Sequence, residues 1–250
     1  MTRLWEKGLP LDQRVLRYTA GEDHRLDARL VRHDIDGSIA HAEMLAAQQL
    51  LSDEDCLSIC DGLRTVGSEH ARGGWHIELD DEDAHTAIEN RLIDLIGATG
   101  GRLHLGRSRN DQVLTALRLY LLEAADEVRD NITRLVAAFT RLTERQGDLV
   151  LPGYTHMQQA MPSSVALWCG GFAEALADDA AGLENAKRRL KKNPLGSAAG
   201  YGTPGLQLDR DLTTEKLGFA ETQAPVTAVQ LSRGKAEAGR NIEKYARKCI

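Results

Sequence analysis

The chain has 250 residues, 42% hydrophobic and 27% charged, enough for one large domain or two small ones with a substantial core. A net charge of −6 without a long basic block leaves no footprint for a nucleic acid, and no run reaches the ~20 apolar residues of a membrane span. The start, MTRLWEKGLPLDQ, has no apolar core of signal-peptide length, so a soluble cytoplasmic protein is expected.

Aromatic residues make up only 4%, and alanine and leucine carry the hydrophobic load, which favours helices over sheets. Residues 26–51 read as a helix with Leu26, Leu30, Val31, Ile35, Ile39, Ala42 and Leu45 on one face. Ser52 followed by Asp55 resembles a capping box and predicts a second helix, carrying Cys56, Leu57, Cys60 and Leu63. Cys56 and Cys60 have no second pair at zinc spacing, and with Cys169 and Cys249 they read as free thiols. Residues 67–80 lack a period and hold three glycines, which predicts a loop. Helix resumes near Asp83 with Ala84, Ile88, Leu92 and Leu95 inward, and Gly97 is its left-handed stop.

The longest element starts at Asp111. Val113, Leu117, Leu121, Ala124, Val128, Ile132, Leu135, Phe139 and Leu142 follow in steps of three and four, and neither proline nor glycine interrupts residues 111–146. At 1.5 Å per residue this predicts a helix on the order of 50 Å, the length of a long bundle, with a stripe suited to a partner helix. Another helix runs from about Ser163 to Lys191, and its basic end from Lys187 to Lys192 reads as solvated charge that complements the helix dipole. Residues 193–205, with four glycines and two prolines, form a loop. A short helix near 209–217 and a last one from about Thr227 to Cys249 follow. The fold class is all-α.

Three segments offer chemistry. GRSRNDQV, residues 106–113, packs Arg107, Ser108, Arg109 and Asn110 into one turn at a helix start, where unpaired N–H groups and a partial positive charge favour a carboxylate. The alternative is that Asp111 caps the helix and the two arginines are solvated. LPGYTHMQQAMP, residues 151–162, sets Thr155 and His156 just before a predicted helix; His156 is either an acid–base group or a packed imidazole. In DDEDAHTAIEN, residues 80–90, His85 and Glu89 share a helical face, with no third ligand at metal spacing.

Together HTAIENRLIDLIG (85–97), GRSRNDQV (106–113), LPGYTHMQQAMP (151–162) and NPLGSAAGYGTPGLQLDRD (193–211) resemble argininosuccinate lyase, of the fumarase/aspartase superfamily. The resemblance spans about residues 4 to 238, and GRSRNDQV is its most specific part. It implies an N-terminal helical domain over residues 1–105, followed over 106–250 by long helices of the family's central bundle. It implies cleavage of argininosuccinate to arginine and fumarate, no cofactor and no metal, and a homotetramer whose sites are built from several subunits. It gives His156 the acid–base role and places Asn110, Thr155, Arg109, Ser108, His85 and Gln158 at the substrate. Family members continue for about as long again, through a mobile Gly-Ser-Ser loop, so the chain is expected to be an N-terminal portion with little lyase activity by itself. The sequence departs from the family pattern at Trp5-Glu6-Lys7-Gly8-Leu9 and at Leu105, and Ser232-Arg233-Gly234-Lys235 matches one branch of it. The rival expectations are a non-catalytic helical protein of the same descent and a sister lyase acting on another succinyl adduct.

Overall fold

The computed structural model describes residues 12–231. Trp5 to Leu9, Ser232 to Lys235, Cys249 and the continuation of the last expected helix lie outside them. In chain order the helices are α1 (Gln13–Ala20), α2 (Asp23–Leu26), α3 (Val31–Ala47), α4 (Asp53–Ala71), α5 (Ala84–Ile96), α6 (Arg109–Gln146), α7 (Val165–Leu190), α8 (Arg210–Lys216) and α9 (Thr227–Leu231). The strands are β1 (Val150–Thr155), β2 (Gln158–Ser164), β3 (Lys192–Asn193) and β4 (Glu221–Thr222). The described residues divide into two compact units, one of residues 12–120 with 191–231 and one of residues 121–190.

In the first unit α3, α4 and α5 pack around Val31, Leu45, Ile59, Leu63, Ile88 and Leu92. Burying side chains of this size contributes roughly 1.5–3 kcal/mol each. The helix starts are set locally: the Ser52 hydroxyl accepts the Asp55 N–H at 3.1 Å, and the Asp83 carboxylate accepts the Thr86 N–H at 2.8 Å. Gly97, with φ at +71°, ends α5 as expected. The short parallel pair β3–β4 closes this unit next to α8, where the buried Asn193 amide donates to Thr213 and Thr214 at 2.9 Å each.

Several expectations are corrected. Helix α3 begins at Val31, after the short α2 and a 3-10 turn over Asp27–Arg29, and Leu26 is exposed. Helix α4 continues through Gly67 to Ala71, and at that glycine Ile35 packs closely, since a Cβ there would lie 3.1 Å from Ile35 Cδ1. Only residues 72–78 remain irregular before a 3-10 turn at Leu79–Asp81. Leu95, expected inward, is exposed, as is Leu57 of α4, whose buried face is made of Cys56, Ile59, Cys60, Leu63 and Val66.

The second unit holds the later part of α6, the hairpin β1–β2 and α7. Its core is small, made of Ala125, Leu183 and Leu190 with Leu121, Leu122 and Val128 beside them. Phe139 of α6 stacks on Phe172 of α7 at 5.8 Å between ring centroids, with Trp168 edge-on to both. Lys187, expected in solvent, is buried and binds Asp126 at 2.6 Å and Glu184 at 3.1 Å. The hairpin was not expected. Strand β1 pairs antiparallel with β2 in a register that joins Thr155 to Gln158, and an irregularity falls between Pro152 and Tyr154. Gly153 sits there with its α-carbon against the Met161 carbonyl, leaving no room for a Cβ.

Candidate active site

The first turn of α6 is fixed by reciprocal caps. The Ser108 hydroxyl accepts the Asn110 N–H at 3.3 Å, and Asp111 accepts the Ser108 N–H at 3.0 Å. The second oxygen of Asp111 takes the N–H groups of Gly196 at 3.0 Å and Ala198 at 2.8 Å. Burial pushes the Asp111 carboxyl up, against these three bonds and the nearby Arg107, which pull it down. So Asp111 caps the helix, as one sequence reading had it, and also moors the glycine-rich loop. Gly196 has φ at +81°, and the next left-handed residue, Ala198 at +51°, lacks the freedom of glycine.

The two arginines of this turn have different fates, and neither is simply solvated. Arg107 points inward and donates to the Ser38 hydroxyl at 2.8 Å. Burial lowers its pKa, opposed by the charges of Asp34, Asp111 and Glu89. Arg109 reaches the start of α5, donating to Thr86 Oγ1 at 2.9 Å, with Asp83 at 3.7 Å and Glu89 at 3.8 Å. Glu89 in turn accepts from His104 at 2.8 Å. The first turns of α5 and α6 are therefore joined through the side chains of Thr86 and Arg109.

His85 is nearly fully buried and donates from Nδ1 to Asp34 at 2.8 Å. Asp34 also accepts from Gln112 Nε2 at 2.8 and 3.1 Å. Burial alone would raise the Asp34 carboxyl; the His85 charge and hydrogen bond, then Arg107 and Gln112, outweigh it and hold it below the usual range. Burial likewise opposes the charge on His85, and Asp34 wins, so the imidazole titrates above its ordinary value. Beneath the turn His41 bonds the Leu105 carbonyl at 2.9 Å; burial first, then the Arg107 charge, pull its pKa down to about 3, so it stays neutral.

Thr155, His156 and Gln158 belong to the hairpin of the second unit. His156 and Met157 are the two turn residues, both left-handed, with φ at +49° and +60°. This is the geometry of a type I′ turn, which normally takes asparagine and glycine. Positive φ at such residues costs of order 1–3 kcal/mol each and collects at functional positions. The side chain of His156 is exposed, and among the described residues it makes no hydrogen bond. The expectation that it stands at a helix start is corrected. Helix α7 begins nine residues later at Val165, with the Ser164 hydroxyl accepting the Leu167 N–H at 3.1 Å.

The first unit thus gathers His85, Ser108, Arg109 and Asn110, and the second carries Thr155, His156 and Gln158. Sequence reasoning missed Asp34, Thr86 and Gln112, which hold the first group. A signal existed: DIDGSIAH puts Asp34, Ser38 and His41 among apolar residues of one helix, and all three are buried. Polar capacity is left over at the same place. Asn110's carboxamide makes no hydrogen bond among the described residues, and Arg107 Nε, Arg109 Nε, Gln112 Oε1 and Ser197 Oγ are sealed from solvent without a partner.

Residues 12–241 match the family described as Lyase. The argininosuccinate lyase of Thermotoga neapolitana is 40% identical over 235 residues, covering 94% of this chain and 59% of that protein. That of Bacteroides fragilis is 41% identical over 240 residues, covering 96% of this chain and 53% of that one. The chain spans about half the length of the curated relatives it matches. Among solved structures, EDDS lyase in complex with formate superposes with a TM-score of 0.78 at 23% identity, over 96% of this chain and 48% of that one. The fumarate lyase:delta crystallin from Brucella melitensis bound to cobalt superposes with 0.73 at 20% identity, over 89% and 53%. These two bear on the fold, which is the helical fumarase/aspartase type expected from the sequence, with the hairpin added. By its sequence across residues 12–241, and by the capped helix starts that carry its motifs, the chain belongs to this lyase family, as the argininosuccinate lyases it is similar to do.

Proposed function

We propose that the protein carrying this chain cleaves argininosuccinate to arginine and fumarate, as a cytoplasmic homotetramer in arginine biosynthesis, without a cofactor. The observation that supports this reading best is the joining of the first turns of α5 and α6 through Arg109 and Thr86, beside the unused carboxamide of Asn110. The reaction removes a proton from the carbon next to a carboxylate, so negative charge flows onto that carboxylate while the guanidinium nitrogen leaves. Donors fixed in advance stabilise such charge where water is excluded. In this reading the two helix ends, Ser108, Arg109 and Asn110 bind a carboxylate group, and His85 lines the pocket. Thr155 and Gln158 hold the substrate beside His156, which transfers a proton from its strained turn. The family's N-terminal domain corresponds to residues 1–105 and its central bundle to residues from 106 onward.

The test is turnover by the protein that carries this sequence, followed by the ultraviolet absorbance of fumarate. Asn110→Ala removes a donor to the developing charge and should cost roughly 10²–10³ in kcat. His156→Asn should cost roughly 10²–10⁴. Activity within a factor of about three of the parent in both variants would sink the reading.

A further inference from the structure

Asp34 belongs to none of the motifs that carry the family resemblance, yet it is a buried carboxylate engaged by side chains from α3, α5 and α6. It lies in the first turn of α3, 1% exposed, and takes hydrogen bonds from His85 Nδ1 and Gln112 Nε2. Ser38 Oγ stands 3.5 Å away and itself accepts from Arg107. Three elements, α3, α5 and α6, therefore converge on one buried carboxylate. Removing a charge from water this completely is costly unless it is paired and its remaining lone pairs are filled, and here they are filled.

The consequence falls on His85. With Nδ1 tied to Asp34, only Nε2 is left to face a ligand; it makes no hydrogen bond among the described residues and is not sealed from solvent. A neutral ring with its proton on Nδ1 would offer a lone pair at Nε2, which repels a carboxylate. An imidazolium would offer an N–H, which binds one. The neighbouring residue is Thr86, which holds Arg109. We infer that Asp34 is a positioning residue that keeps His85 an Nε2–H donor toward a carboxylate of the substrate, and so sets the upper pH limit of dicarboxylate binding. The charged groups around His85 are Asp34 from α3, Asp83 ahead of α5 and Asp27 of the 3-10 turn, all acidic, and Arg107 faces Asp34 from the other side. The inference rests on the dicarboxylate reading above.

The experiment uses fumarate as the probe and the full protein. Nitrogen-15 NMR gives the protonation midpoint of His85, and calorimetry gives fumarate affinity across the same pH range. In the unaltered protein, affinity should fall by about tenfold per pH unit above the His85 midpoint. Asp34→Asn should lower the midpoint and move the fall in affinity by the same amount, and Asp34→Glu should restore most of both. Circular dichroism identifies an Asn variant that does not fold, in which case the coincidence of the two midpoints in the unaltered protein decides alone. Fumarate binding whose pH dependence ignores His85 would overturn the inference and leave the proposed function standing. A parent protein that binds no fumarate at any pH would overturn both.

Discussion

Asp111→Ala tests how the first turn of α6 is held. Asp111 is fully buried, and its carboxylate takes three N–H groups, from Ser108, Gly196 and Ala198, at 3.0, 3.0 and 2.8 Å. Hydrogen bonds to a charged group contribute about 1.5–3 kcal/mol each, so three would sum to about 5–9 kcal/mol if they were independent. They are not, since all end on one carboxylate whose burial is itself unfavourable, as its raised pKa shows. The net loss should therefore resemble that of breaking one buried charge pair, about 3–5 kcal/mol. Urea unfolding followed by circular dichroism measures it, and hydrogen exchange at the Gly196 and Ala198 amides reports whether the glycine-rich loop comes loose. A loss below about 1 kcal/mol, or unchanged exchange at both amides, would refute the claim that this carboxylate moors the loop. Asp111→Asn should fall between the two, because its single oxygen can serve either the cap or the loop, while its NH₂ group confronts the other donor.

Gly153→Ala should destabilise the hairpin by about 1–3 kcal/mol, since the added carbon overlaps the Met161 carbonyl; Gly171→Ala in α7, where a Cβ meets nothing within 4 Å, should stabilise by about 0.5–1 kcal/mol, and thermal unfolding of both variants checks the contrast. Stability should also depend on pH through the Asp34–His85 pair. The His85 pKa is raised on folding, so its contribution is present below the unfolded value of about 6.5 and is lost as pH rises through the folded value. The Asp34 pKa is lowered, so its contribution is present above about 3.9 and is lost as pH falls through the folded value. Unfolding free energy should therefore plateau between these limits, and His85→Asn should remove the alkaline decline that is specific to the pair.

The helices were legible because their information is local. Apolar residues at steps of three and four marked α3 to α7, and a side chain able to cap, Ser52 or Asp83, or a residue able to take positive φ, Gly97, marked where α4 and α5 begin or end. The turn at Arg109 and Asn110 was legible for the same reason: a cluster of donors at a helix start is visible in six letters. The hairpin was not. Its register is set by a two-residue turn made of His156 and Met157, neither of which announces a left-handed conformation, and the sequence offers no Asn-Gly there to read. Nor was the continuation of α4 through Gly67, where a glycine that suggested a loop instead makes room for Ile35. Tertiary structure alone decided which polar groups would be spent inside the molecule. Arg107 and Lys187 look like surface charges in the sequence, and each is paired indoors with a residue tens of positions away. Periodicity records which face of a helix turns inward. It carries no record of what that face meets, and the state of a buried charge depends entirely on what it meets.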